Sequence, residues 1–170
     1  MSCPPKRWRE AFAREKPAVL KNIDPLLTPE LLKLLCEMGH GDEIVLADAN
    51  FTAESLGRGR SVLRLPGADM QRACAALLSV FPLDESVAHP AAYMQVGGSA
   101  PGYRSGVQRD VIEQAAAADP VCDDSKWEAV ERFAFYERAA CAYAIVQTGE
   151  MQAWANFVFK KGVIADRLRA

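Results

Sequence analysis

The stretch TPELLKLLCEMGHGDEIVLAD, residues 28–48, joins a well-marked helix to a buried strand. Thr28 is a suitable helix cap, Pro29 suits the first helical turn, and Glu30 suits the positive end of the helix dipole. An apolar stripe at helical spacing follows, and Gly39 is the expected end of the helix. The short β-branched run EIVLAD then predicts a buried strand. The stretch therefore predicts a helix, a glycine-rich turn and a strand.

The same alternation of strands and helices continues along the chain. Further strands are predicted at RSVLRL, PAAYMQVG, YAIVQTGE and ANFVFKKG, and further helices at ADMQRACAALLSVF, SGVQRDVIEQAAAAD and AFYERAACA. Ser105 is the expected cap of the second of these helices. The segment WEAVERF is compatible with either a strand or a helix. Alternation of this kind predicts a layered α/β domain with a largely parallel sheet, in which ligands bind at the carboxyl ends of strands.

The amino-acid composition argues against a nucleic-acid-binding protein, a membrane-spanning protein and a zinc protein. The 170 residues include 20 basic and 22 acidic side chains, which gives no electrostatic reason to expect binding to nucleic acid. No apolar run approaches the roughly 20 residues of a membrane span. The five cysteines are odd in number and never form a CxxC pair, so we expect reduced thiols in a cytoplasmic protein and no zinc site.

Three segments are expected from the patterning. Residues 1–18 are rich in Lys, Arg and Pro, and we expect a mobile tail, a short helix outside the core, or an upstream start assigned in error. Residues 19–165 are expected to form the single folded domain, and residues 166–170 a short C-terminal tail. We predict that residues 1–18 are dispensable for folding.

His40 is the first candidate for chemistry. It stands between two glycines at the predicted junction of helix and strand, and an imidazole exchanges protons near neutral pH. Asp42 and Asp48 are the nearby carboxylates that could orient it. On local features alone, a histidine that merely fills the turn is the more frequent case. The other histidine, His89, precedes a proline and is expected to be a loop residue without a chemical role.

Two further segments carry polar and aromatic side chains. RFAFYERA places four residues close together, either as a solvated helix face or with an arginine free to hold a hydroxyl or carboxylate. They are Arg132, Tyr136, Glu137 and Arg138. GEMQAWANFVFKKG places Trp154 and Asn156 just before a strand. An indole face can pack against a sugar ring, although core packing is the simpler interpretation. Taken alone, these residues name no reaction.

Together, the segments LKNIDPLLTPELLKLLCEMGHGDEIVLADANF, RFAFYERA and GEMQAWANFVFKKGV resemble the D-ribose pyranase / L-fucose mutarotase family. The fucose branch is the closer match, chiefly through MGHGDEI and RFAFYERA, and the resemblance covers roughly residues 19–164. It implies a three-layer α/β/α domain that interconverts the anomers of L-fucose or a related free monosaccharide. It also implies that no metal or organic cofactor is needed. The implied assembly is a homo-oligomer, often a decamer of two stacked pentamers, with sites between subunits.

The resemblance also assigns roles to individual residues. His40 matches the catalytic histidine, whose imidazole would exchange protons with the hemiacetal. Asp48 and Arg132 match substrate-binding positions. The closing sugar-binding tripeptide of the family corresponds to Trp154, Ala155 and Asn156.

Two departures from the family pattern bear on the substrate more than on the fold. Trp154 stands where the family usually has tyrosine, and Asn50 stands where the fucose branch often has histidine. Three alternatives therefore remain open. The chain could be a pyranase acting on D-ribose or another sugar, a non-catalytic monosaccharide-binding protein, or a structural oligomer without a small-molecule role.

Overall fold

The computed structural model describes residues 20–164, which form one six-stranded sheet with helices on both faces. The segments expected at residues 1–18 and 166–170 lie outside the described residues. The strands are β1 Glu43–Ala47, β2 Ser61–Leu65, β3 Ala91–Met94, β4 Trp127–Val130, β5 Ala144–Thr148 and β6 Phe157–Lys160. The helices are α1 Pro29–Glu37, α2 Ala53–Leu56, α3 Met70–Leu78, α4 Gly106–Ala118 and α5 Arg132–Cys141.

The strand order across the sheet is β2-β5-β1-β6-β3-β4. Three neighbouring pairs are parallel, namely β2 with β5, β5 with β1, and β3 with β4. β6 runs antiparallel to both of its neighbours, β1 and β3. The expectation of a largely parallel sheet is confirmed. The antiparallel strand at the centre of the sheet was not predicted.

Side chains of the central strands alternate between two apolar cores, one on each face of the sheet. In β1, for example, Ile44 and Leu46 contribute to one core, while Val45 and Ala47 contribute to the other. Helices α1, α3 and α4 cover the first core, and α2 and α5 cover the second. Because a strand alternates its side chains with a period of two, a sheet buried on both faces needs apolar residues throughout, as these strands have. The three-layer architecture is confirmed.

The predicted helix caps are present. The Thr28 hydroxyl accepts a hydrogen bond from the backbone N–H of Leu31, and Ser105 forms a reciprocal capping box with Gln108. The end of α1 differs from the prediction, because the helix stops at Glu37 and an extended residue follows it. The left-handed glycine in this turn is Gly41, with φ of 86°, rather than the expected Gly39.

The ambiguous segment WEAVERF is divided between two elements. Its first four residues form β4, and α5 begins two residues later at Arg132. The residues of the apolar segment ANFVF, residues 155–159, are buried in the sheet. Among the helices of residues 20–164, none combines the length and the apolar character of a membrane span.

Candidate active site

The carboxyl end of β1 and the amino end of β6 lie side by side and carry Asp48 and Asn156. The Asn156 side chain accepts a hydrogen bond from the Asp48 backbone N–H at 2.9 Å. Its Nδ2 donates to Asp48 Oδ2 at 2.8 Å. Both residues are buried, with 3% and 2% of their surface exposed. The asparagine therefore fixes the carboxylate at the edge where ligands of α/β sheets bind.

The two oxygens of the Asp48 carboxylate have different partners. Oδ1 accepts a hydrogen bond from the Asn50 backbone N–H at 2.9 Å, and Oδ2 accepts the bond from Asn156. Burial raises the pKa of Asp48 above its ordinary value, against the lowering effect of these hydrogen bonds, and the charge of Glu150 raises it further. The carboxyl group therefore takes up a proton more readily than an exposed aspartate does.

Arg132, the first residue of α5, is a third polar residue of this site. Its Nε donates a hydrogen bond to the Tyr136 hydroxyl at 2.9 Å, and its guanidinium carbon lies 5.6 Å from the centre of the Trp154 ring. The remaining N–H groups of the guanidinium have no hydrogen-bond partner within residues 20–164. The aromatic contacts therefore orient an arginine whose donors are available to a ligand.

Trp154 has a left-handed backbone, with φ of 70°, which is unusual for a residue with a bulky side chain. The conformation is held by Gln108, whose Nε2 donates to the Trp154 carbonyl at 2.9 Å and to the Met94 carbonyl at 2.8 Å. The indole lies directly over Gly97, where a Cβ atom would come within 2.7 Å of the ring. The absence of a side chain at Gly97 thus provides the space that the indole occupies.

These side chains surround an open cavity of about 200 Å³. The residues that line it include Asp48, Asn50, Arg132 and Trp154. Drug-sized ligands occupy pockets of roughly 300–1,000 Å³, so this cavity suits a smaller molecule. Ala155, the middle residue of the family tripeptide, is fully buried and does not line the cavity, whereas Ala153 does.

His40 is not part of this cavity, because it lies at the other end of β1. The histidine precedes the strand and Asp48 follows it, and the strand between them spans roughly 16 Å at about 3.3 Å per residue. The His40 side chain is 53% exposed and borders a second cavity of about 560 Å³. Within one subunit, the structure therefore does not bring His40 together with the other candidate residues.

The carboxylate beside His40 is Asp84, and neither of the two aspartates considered from the sequence takes this place. Asp84 Oδ2 lies 3.2 Å from His40 Nε2. Asp42 instead accepts a hydrogen bond from the Gly39 backbone N–H at 2.7 Å. The pKa of Asp84 is lowered by hydrogen bonds from Ser86, which outweigh the effect of burial, and His40 lowers it further. The sequence carried no signal for this contact, which joins two loops 44 residues apart.

Other sequence candidates have structural roles. Arg138 donates two hydrogen bonds to Glu43 and one to Glu128, each at 2.9 Å, so it forms an ion-pair network instead of a solvated helix face. His89 is an exposed loop residue, as expected.

The sequence of residues 21–164 matches the profile of the RbsD / FucU transport protein family. The chain belongs to the RbsD / FucU family. An L-fucose mutarotase of Actinobacillus pleuropneumoniae serotype 5b is 44% identical over 147 residues, which are 85% of this chain and 97% of the relative.

Solved structures agree with this assignment to the RbsD / FucU family. FucU from Bifidobacterium longum is 40% identical, with a TM-score of 0.78 over 85% of this chain and 99% of its own. A fucose mutarotase from Streptococcus pneumoniae, solved in complex with L-fucose, is 36% identical, with a TM-score of 0.75 over 85% of this chain and 99% of its own.

Two further residues contribute to the site of this RbsD / FucU protein: Tyr136, which the sequence placed close to Arg132 without a role, and Gln108, which sequence reasoning missed. Tyr136 holds Arg132, and Gln108 holds the Trp154 backbone. A signal for Tyr136 was present, because it lies four residues after Arg132 on the same helix, and side chains at this spacing meet. No local pattern indicated Gln108, since its partners lie on β3 and just before β6.

Proposed function

We propose that this chain is a cytoplasmic sugar mutarotase that interconverts the α and β anomers of L-fucose or a related free monosaccharide. One observation carries the proposal. The buried Asp48–Asn156 pair lines a small cavity together with an arginine and an indole, in a chain that is 44% identical to an L-fucose mutarotase. The free thiols of Cys36 and Cys141, both exposed, are in keeping with a reducing compartment.

The cavity offers the contacts that a monosaccharide needs. Asp48 and Asn156 present a carboxylate and an amide to hydroxyl groups, and Arg132 adds N–H donors with fixed directions. The Trp154 ring supplies an aromatic face for the C–H side of the sugar. The ligand would therefore be held by hydrogen bonds on its edge and by packing on its face.

Mutarotation requires a proton to leave the anomeric hydroxyl while the bond between C1 and the ring oxygen breaks. The ring oxygen gains a proton in the same opening, and closure on the other face of C1 reverses both transfers. A group that titrates near neutral pH can perform either transfer and contributes typically about 10²–10⁴-fold in rate. We assign this role to His40.

Because His40 lies at the opposite end of β1, the proposal requires the histidine to come from a neighbouring subunit. Exposed apolar side chains lie next to both cavities, the one with Asp48 and the one with His40. Phe133 lies beside Arg132 at the first cavity, and Val163 and Ile164 line the second cavity together with His40. A head-to-tail contact between two unlike surfaces closes into a ring. We propose a homo-oligomer of this kind, a decamer of two stacked pentamers.

A non-catalytic monosaccharide-binding role is the second candidate. Trp154 favours it, because an indole supplies one N–H donor but no phenolic oxygen for proton transfer. In that case the cavity would bind a sugar without accelerating the exchange of its anomers.

The first experiment is saturation-transfer NMR on L-fucose, which measures exchange between the anomers with and without protein. We expect acceleration by the wild type and none by His40→Ala. The same exchange measurement on D-ribose, galactose and rhamnose compares L-fucose with a pyranase substrate and with two other sugars. Binding without acceleration for any sugar would favour the second candidate, and no binding at all would contradict both.

A mixing experiment tests the shared site. His40→Ala and Asn156→Ala each remove one half of it, and we expect each variant alone to be inactive. Mixed oligomers place an intact His40 beside an intact Asn156 at some interfaces, so partial activity should return after co-refolding. Lack of recovery in oligomers shown by mass spectrometry to be mixed would contradict a site built from two subunits.

A further inference from the structure

We propose that Gln147 is a positioning residue for the proposed sugar cavity, holding the loop after β1 so that Asp48 and Asn50 are presented to the ligand. The inference rests on the proposed function and deepens it, since it names a residue that places the substrate-binding groups without touching the substrate. Gln147 lies on β5 and is not among the residues that line the cavity. It acts on the site through the main chain of residues 48–51.

Gln147 is a polar side chain in an apolar position. It follows Ile145 by two residues on β5, so both side chains point to the same face of the sheet, toward the second core. Its neighbour on β1, Ala47, belongs to that core as well. Only 7% of the surface of Gln147 is exposed. A buried amide is costly unless it forms hydrogen bonds, so its partners indicate why it is tolerated there.

The orientation of the Gln147 amide is determined by Arg64. This arginine is the neighbour of Gln147 on the edge strand β2, and its Nη1 donates to Gln147 Oε1 at 2.7 Å. Because a guanidinium only donates hydrogen bonds, the amide atom that faces it must be the oxygen. Arg64 Nη2 is held in turn by Glu54 Oε1 at 2.9 Å. The amide nitrogen of Gln147 is therefore left to bond the loop after β1.

That nitrogen contacts three carbonyl oxygens of the loop. Nε2 donates to the Ala49 and Phe51 carbonyls, each at 3.0 Å, and lies 3.5 Å from the Asp48 carbonyl. One nitrogen thus gathers three of the four carbonyl groups of residues 48–51, which fixes the curvature of the loop around it. The backbone oxygens turn toward Gln147, while the side chains of Asp48 and Asn50 line the cavity.

Asn50 depends on this contact more than Asp48 does. The Asp48 carboxylate is also bonded to the Asn156 side chain, whereas the Asn50 side chain is exposed and forms no hydrogen bond within residues 20–164. A second bond from the end of β5 reaches the loop, from the Ala49 N–H to the Glu150 carbonyl at 2.7 Å. Beyond Ala49, the bonds from β5 to the described loop residues come from Gln147 alone. The place of the Asn50 amide in the cavity is therefore set by the backbone that Gln147 holds.

The test measures L-fucose binding by calorimetry and anomer exchange by saturation-transfer NMR, both on the full-length protein. Gln147→Met keeps the length of the side chain and removes its donors. Gln147→Glu, measured at pH 8, keeps the shape and the acceptor for Arg64, but an ionised carboxylate has no N–H. We expect Kd and KM to rise by about 10-fold or more in both variants, because small displacements of binding groups are costly. The change in kcat should stay within about 3-fold, as when binding alone is lost.

Thr28→Ala is the matched control for a general loss of stability. It removes the hydroxyl that caps α1, a helix on the other face of the sheet. We expect a lower melting temperature, as in the Gln147 variants, but the wild-type Kd for L-fucose.

Hydrogen–deuterium exchange, followed by mass spectrometry of a peptide that contains residues 48–52, reports on the loop itself. The N–H groups of Asn50 and Phe51 bond to Asp48 within the loop, so they exchange when the loop opens. We expect this peptide to exchange about 10-fold faster in Gln147→Met and Gln147→Glu, and at the wild-type rate in Thr28→Ala.

Failure of this inference is distinct from failure of the proposed function. If the wild type binds L-fucose and both Gln147 variants keep its Kd, Gln147 has no positioning role, even where the loop exchanges faster. Weaker binding with unchanged exchange at residues 48–52 would also contradict the inference, because the loss would then arise elsewhere. If the wild type binds L-fucose without accelerating anomer exchange, the catalytic function fails, and Kd still decides the inference. If the wild type binds none of the sugars tested, both are wrong.

Discussion

Replacing Asn156 by aspartate should make the stability of the protein fall more steeply as the pH rises. In the wild type, Asn156 Nδ2 donates to Asp48 Oδ2 at 2.8 Å, and both side chains are buried. Asn156→Asp keeps the shape but places a second carboxylate against the first. Two carboxylates at this separation cannot both ionise at low cost, so the pair binds a proton in the folded state that the unfolded chain does not bind.

The magnitude follows from the charges. At a separation of about 4 Å and an effective dielectric constant near 20, two like charges repel by about 4 kcal/mol. Taking up one proton relieves this repulsion. Between the pKa of the unfolded chain and the raised pKa of the folded pair, the variant then loses about 1.4 kcal/mol of unfolding free energy for each unit by which the pH rises. We expect the variant to lose about 2–4 kcal/mol of unfolding free energy between pH 5 and pH 8, relative to the wild type.

The linkage between protonation and folding determines whether the stability rises or falls with pH. A carboxyl group whose pKa is raised by folding adds stability at low pH, and this contribution disappears as the pH rises through the folded-state pKa. Urea denaturation at pH 5, 6, 7 and 8 measures the effect. Asn156→Leu is the control, because it removes the donor without adding a charge. Its loss of stability should grow less steeply with pH than that of Asn156→Asp, since it lacks the repulsion between two carboxylates. If Asn156→Asp and Asn156→Leu show the same pH dependence, the Asp48–Asn156 contact does not exist as described.

Two further outcomes are expected. In Gly97→Ala, the new methyl group would lie 2.7 Å from the Trp154 ring, so the indole must move. We expect KM for the sugar to rise by about 10-fold or more, with a small change in melting temperature. An unchanged KM would contradict the packing of Trp154 on Gly97. Burial alone would raise the pKa of Glu43, but hydrogen bonds and charge from Arg138 and Lys160 lower it below 4.5. Glu43→Gln should therefore cost about 2–3 kcal/mol at pH 7, somewhat less than the loss from breaking a fully buried pair. The difference from the wild type should shrink as the pH falls below 4.5 and the wild-type carboxylate is protonated, and a difference that stays constant down to pH 3 would contradict the assignment.

The helices were predictable because their signals are local. Thr28 and Ser105 cap α1 and α4 as expected, and each cap acts on a residue three positions away. Strand positions were also predictable from apolar runs. The direction of β6 was not, because a run such as ANFVF is equally apolar in a parallel or an antiparallel setting, and its direction depends on strands more than 60 residues earlier.

The candidate site was also predictable where its signals are local and not where its contacts join distant parts of the sequence. Asp48 could be placed at a strand end from its local sequence, and family resemblance alone placed it in one site with Asn156. The hydrogen bonds between the two residues span 108 positions and were not predicted. His40 was recognised from its glycine-rich turn, yet its partner was sought among neighbours in sequence. The contact with Asp84 forms because two loops meet at the end of β6, and the spacing of residues along the sequence does not predict this contact.

The position of β6 has a consequence for how this protein is made. Within residues 20–164, the strand ladder joins the β2-β5-β1 half of the sheet to the β3-β4 half only through this strand, which is the last in chain order. While residues 157–160 are still inside the ribosome, the emerging chain therefore has two apolar sheet edges with no partner. Unpaired edges of this kind invite association with other chains. Completion of the sheet must await the emergence of β6, and a chain interrupted before β6 should be recovered bound to chaperones or in aggregates.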